Sequence, residues 1–349
     1  MRIQSLQVLR GVAAWAVVYH HYMQIFYNFE SSNYIGEIFS QRGGFGVDLF
    51  FVLSGFVMFI AATRSSVNAK EFFLKRLFRV FPAYWFFTAL LLLFTVAMPE
   101  AFESSLYDFK TILYSIFFIP HAHPSGVGIY PFLTVGWTLN YEVAFYTILS
   151  FCIFLNKKYA IHFCAGIVLI LPIALMGSES QSLSVINSFR MWEFLFGIYL
   201  GWLFKCFSFI QQVSRVWGVL LLVFSVVILS GVLGYGLIHK AIAATMIVTA
   251  CILLNDFFNT RTKIASFMIQ LGDMSFSTYL CHVIIIKIAL YFSGNSLGFY
   301  SEITVLTAIS VLVYYISFIS YKYIECFKGV NKLRDLLISI NFKRITFYR

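Results

Sequence analysis

Long apolar runs separated by short polar connections make up almost the whole chain. Runs of about twenty residues lie near 6–27, 45–63, 80–98, 133–155, 159–176, 190–207, 215–234, 237–255, 274–292 and 303–325, and about twenty helical residues are what the hydrocarbon of a bilayer requires. The runs are continuous, without the ten-residue alternation of a membrane β-barrel strand. The pattern predicts an all-α fold, a polytopic helical bundle of about ten transmembrane helices. The run from Phe109 to Pro120 is too short to cross and is expected as a re-entrant or interfacial helix. The first run is too long for a signal peptide, carries Arg10, His20 and His21, and is expected to remain as the first span. With no repeat and no low-complexity stretch, 1–325 reads as one transmembrane domain and 326–349 as a short basic cytoplasmic tail.

Composition sharpens this picture. Of 349 residues, 60% are hydrophobic and 11% charged, too few polar side chains to cover a water-facing surface, which excludes a soluble fold. An even number of spans puts both termini on one side. On that side fall Arg2, Arg64, Lys70, Lys75, Arg76, Arg79, Lys157, Lys158, Lys205, Arg215, Arg261, Lys263 and the tail from Lys322 to Arg349. Opposite fall only Arg42, Lys110, Arg190 and Lys240, beside Glu30, Glu37, Glu100, Glu103, Asp108, Glu179 and Glu302. The positive-inside rule makes both termini cytoplasmic. The formal charge of +10 then reflects topology and lipid headgroups as partners, not nucleic acid. Six cysteines stand singly, a spacing that points to neither disulfides nor a metal site.

Ionisable groups within apolar runs are costly, so each is a candidate for chemistry. They are Arg10, His20, His21, Asp48, Glu142, Glu193, His282, Lys287 and Glu325. Arg10 and His21 are eleven residues apart, which brings them to within about 20° on one helix face and about 16 Å along it; His20 falls about 80° away. Either histidine also suits an interhelical tie. Asp48 sits among Gly43, Gly44, Gly46, Ser54 and Gly55, a stretch suited to close helix packing, and needs a partner, for which a histidine of the first span is one candidate. Arg76 and Arg79, with Lys75 adjacent, form a guanidinium pair suited to phosphate, or equally to lipid headgroups. Trp137, Asn140, Tyr141, Glu142 and Tyr146 are too polar for a lipid face and are expected to line a cavity. Arg190 and Glu193 fit an i,i+3 ion pair.

In order along the chain, LRGVAAWAVVYHH, GVDLFFVLSGFVM, KRLFRVFPAYW, GWTLNYEVAFY, RMWEFLFG, GDMSFSTYLCH and YIE resemble the acyltransferase-3 family of bacterial integral-membrane enzymes that O-acetylate sugars. The wording GWTLNYE is similar to the exopolysaccharide acetyltransferase branch. The resemblance implies a multi-pass protein of the bacterial cytoplasmic (inner) membrane that moves an acetyl group from acetyl-CoA to a glycan or lipid-linked sugar hydroxyl, with no metal. It implies donor binding by Arg10, Lys75, Arg76 and Arg79, and catalysis by His21 as general base, with His20 as its neighbour and Glu142 or Asp48 orienting it. Trp137, Asn140, Tyr141, Tyr146 and His282 are then expected to meet substrate. Cys326 stands where the family often has Pro, and the extracytoplasmic hydrolase-like domain fused to some members is not expected here. A transporter or flippase of a lipid-linked or anionic substrate is the alternative reading.

Overall fold

The computed structural model describes residues 3–31, 33–64, 67–102, 108–206, 214–258, 262–294 and 298–340. Arg2, Glu103, Arg261 and the end of the basic tail, all used in the charge census, lie outside them. Sixteen α-helices are described: α1 Gln4–Tyr27, α2 Tyr34–Arg42, α3 Gly46–Ala62, α4 Ala69–Ala97, α5 Pro99–Phe102, α6 Phe109–Ile116, α7 Trp137–Leu155 and α8 Ala160–Ala174, followed by α9 Met191–Cys206, α10 Arg215–Ser230, α11 Leu237–Leu253, α12 Asn255–Phe258, α13 Lys263–Asp273, α14 Ser275–Ser293, α15 Phe299–Ser320 and α16 Lys328–Ser339. Among the described residues there is no strand, only one isolated bridge between Ala122 and Ile129. Among the described residues, five segments are long and apolar enough to cross a membrane, namely Tyr34–Ala62, Ala69–Ala97, Thr134–Leu155, Ser275–Ser293 and Tyr300–Ser339. The protein is therefore a helical membrane protein, and each expected apolar run coincides with a helix.

Local chemistry sets the ends. Asn68 accepts a hydrogen bond from the Glu71 N–H at 2.9 Å, an N-cap that starts α4 well before the apolar stretch begins and carries Lys75, Arg76 and Arg79 on helix. Asp108 caps α6 through the Thr111 N–H at 2.7 Å, and Thr262 caps α13 through Ala265 at 3.1 Å. The short run from Phe109 to Pro120 folds as the two-turn α6.

Helix α1 is the hub, packed against α3, α11, α13 and α14, with Ala14, Val17 and Val18 fully buried. A helix shielded by others on so much of its surface tolerates Arg10, His20 and His21. Glycines let the neighbours approach to backbone contact. A Cβ at Gly55 of α3 would overlap the Phe194 carbonyl of α9, one at Gly197 would overlap the Val52 carbonyl, and one at Gly272 of α13 would overlap the Gln7 carbonyl of α1. The α3–α9 and α1–α13 crossings are thus small-residue seams, the usual solution where lipid offers no hydrophobic gain to helix association.

Candidate active site

Two cavities lie towards opposite ends of α1. The first, of about 360 Å³, is bounded by the start of α1, the end of α3 and the start of α4, and gathers Arg10, Arg64, Arg76 and Arg79. Facing them are Glu142 and Tyr146 of α7, where the Tyr146 hydroxyl donates to Glu142 Oε2 at 2.8 Å. Arg76 Nε is buried without a hydrogen-bond partner. Four guanidiniums against one carboxylate make a strongly anion-seeking pocket, and the planar donors of arginine match phosphate oxygens. Just behind it, Ser277 of α14 donates to Glu325 Oε1. That carboxylate ends the π-helical turn Tyr321–Glu325 that continues α15.

The second cavity, of about 1050 Å³, holds His20 and His21 from the far half of α1, Asp48 from the start of α3, Trp137, Arg190, Lys240 and Lys287. The connection from His123 to Tyr130 contributes to its wall. His21 Nδ1 lies 3.0 Å from the Val17 carbonyl and 3.0 Å from His282 Nε2, and His282 Nδ1 lies 3.1 Å from the Thr278 carbonyl. Carbonyls only accept, so both Nδ1 atoms carry hydrogen. With His282 neutral, its Nε2 accepts from the His21 Nδ1–H, which it shares with the Val17 carbonyl. In the neutral His21 ring a hydrogen on Nδ1 leaves Nε2 with its lone pair, the tautomer a general base requires. His20 is tied differently, with Nδ1 at 2.9 Å from the Phe39 carbonyl.

The partner of Asp48 is not a histidine. Arg190 Nη1 lies 3.6 Å from Asp48 Oδ1 and 3.8 Å from Glu193 Oε1, so the i,i+3 pair at the entry to α9 is extended to a carboxylate on α3. The buried Asp48 and Glu193 carboxyl groups also lie within hydrogen-bonding reach of each other across the α3–α9 contact. The Arg190 guanidinium sits 5.2 Å from the Trp137 ring centroid, which joins a charged cluster to an aromatic face in one wall.

The structure thus divides the residues singled out by sequence. Arg10, Arg76, Arg79, Glu142 and Tyr146 share the arginine cavity, whereas His20, His21, Asp48 and Trp137 share the histidine cavity. Glu142 therefore lies in the other cavity from His21, and the side chain hydrogen-bonded to His21 is His282, fully buried. Lys75 lies outside both linings, paired with Glu71 at 2.6 Å. Asn140 and Tyr141 also lie outside them, Asn140 buried and Tyr141 packed on Trp137 with centroids 5.7 Å apart. Arg64, Lys240 and the loop after His123 were missed as site residues. Arg64 and Lys240 read as topology signals, and the loop offers no periodicity to read. Among the described residues no group of three or more His, Cys, Asp or Glu side chains is arranged as a metal site.

Comparison with known proteins identifies the family. The chain is 28% identical over 271 residues, 76% of its length and 84% of the relative's, to the exopolysaccharide production protein ExoZ of Rhizobium meliloti (strain 1021). It is 26% identical over 333 residues, 86% of its length and 83% of the relative's, to the acyltransferase MdmB of Streptomyces mycarofaciens. No solved structure gives a significant match. Residues 3–322 match the acyltransferase domain model of the acyltransferase-3 family, and the chain belongs to that family of membrane acyltransferases.

Proposed function

We infer that the protein is an O-acetyltransferase that takes acetyl groups from acetyl-CoA and places them on a sugar hydroxyl of an exported or cell-surface glycan. The observation that carries this is the arrangement on α1: Arg10 belongs to an arginine cavity and His21 to a histidine cavity, on the same helix and eleven residues apart. Polyanionic CoA suits Arg10, Arg64, Arg76 and Arg79. A sugar suits the other cavity, where Trp137 offers a stacking face. His21 Nε2 takes the hydroxyl proton as the sugar oxygen attacks the thioester carbonyl carbon. The C–S bond breaks, and the departing thiolate picks up a proton as CoA. His282 is a positioning residue that holds the His21 tautomer. The glycan assignment draws on the relative named for exopolysaccharide production.

On this reading residues 1–325 form the catalytic domain, with about ten spans in the cytoplasmic membrane, both termini on the cytoplasmic side, and the arginine cavity facing cytosolic acetyl-CoA. The test is release of CoA thiol, with transfer of label to glycan, in membranes carrying the parent or a variant. His21→Ala loses about 10²- to 10⁴-fold in rate, while His20→Ala retains most of it. Parental acetylation by His21→Ala would remove the base assignment. Uptake of substrate into vesicles without thiol release would establish a transporter instead.

A further inference from the structure

The arginine and histidine cavities share two lining residues, Val47 of α3 and Tyr279 of α14. The cations that suit the donor lie on one side of this pair and His21 on the other, so on the donor reading above the thioester carbon has to reach past it. Both shared residues are held in place. The Tyr279 hydroxyl donates to the Val135 carbonyl at 2.8 Å and accepts from Thr138 Oγ1 at 3.1 Å. Val135 lines the histidine cavity and Thr138 the arginine cavity, so the phenol is tethered at the partition itself. Val47 is β-branched, with little rotamer freedom on a helix. Its backbone is fixed because the preceding Gly46 lies against α1, where a Cβ would overlap the Ala13 carbonyl. Both side chains are almost closed over, Val47 at 7% and Tyr279 at 5% exposure.

We propose that Val47 and Tyr279 form the gauge that limits the length of the acyl group, passing an acetyl thioester and excluding longer chains. A rigid apolar constriction distinguishes one methylene by about 10- to 200-fold.

The test compares acetyl-, propionyl- and butyryl-CoA as donors in native membranes, which supply the acceptor. The quantity read is the ratio of kcat/KM between donors within each variant, which does not depend on how much protein folds. The parent prefers acetyl over propionyl by about tenfold or more. Val47→Ala shrinks that preference by about tenfold, and Val47→Ile, which adds one methylene, sharpens it. Tyr279→Phe keeps the ring, removes both tethers and relaxes selectivity in the same direction as Val47→Ala. Ratios that stay at the parental value in Val47→Ala and Tyr279→Phe would overturn the proposal, as would a parent that uses butyryl-CoA as well as acetyl-CoA. No thiol release by the parent from any of the three donors would overturn the donor reading itself.

Discussion

His21 and His282 are joined by a single hydrogen bond of 3.0 Å, and what that bond contributes can be separated from what His21 does. A neutral hydrogen bond contributes about 0.5–1.5 kcal/mol, so His282→Ala is expected to lower kcat about threefold to tenfold with donor KM unchanged. His282→Asn, which can still accept from His21 Nδ1–H, recovers part of the loss. A loss as large as that of His21→Ala would make His282 the base. The arginines act on binding instead. Hydrogen bonds to charged groups are worth about 1.5–3 kcal/mol, so Arg76→Ala is expected to raise KM for acetyl-CoA by about tenfold to a hundredfold. A fall in kcat at constant KM would show that Arg76 does not hold the ground-state donor.

Helix-scale order rests on the glycine seams. At the α3–α9 crossing the two backbones touch through Gly55 and Gly197, and the atoms that an added Cβ would meet first are the carbonyl oxygens of Phe194 and Val52, which cannot rotate away. Gly55→Ala is expected to destabilise the bundle by about 1–3 kcal/mol, read as a lower thermal midpoint in detergent. Gly166→Ala in α8, where an added Cβ meets nothing within 4 Å, leaves the midpoint unchanged. The same crossing carries Asp48 and Glu193 to Arg190, so a shift there also moves the wall of the histidine cavity. Helix positions were legible in the apolar runs because lipid demands continuous apolarity. The start of α4 was not, since apolarity marks only the lipid-facing part while the Asn68 cap extends the helix through Lys75, Arg76 and Arg79.

Across the whole molecule the cavities lie towards opposite ends of α1, and orientation decides which substrate meets which. Cys206 and Cys326 are exposed and lie on the side assigned to the cytoplasm. In intact spheroplasts a membrane-impermeant maleimide is expected to leave both unlabelled and to label Val127→Cys, whose native side chain is 63% exposed beside the histidine cavity. The reverse labelling would invert the topology and with it the assignment of donor and acceptor cavities.

Sequence by itself determined the solvent, the helices and the shared face of Arg10 and His21, because span length, hydropathy and a 100° helical step are local properties of the chain. Only the tertiary structure decided the rest. It placed Glu142 with the arginines, turned His282 onto His21, gave Asp48 the guanidinium of Arg190, and put Val47 and Tyr279 in the lining of both cavities. Each of these joins residues from different helices. In a bundle whose helices are all apolar, which faces meet is settled by shape at small-residue contacts and by the few polar groups that must find partners, and neither leaves a periodic mark in the sequence.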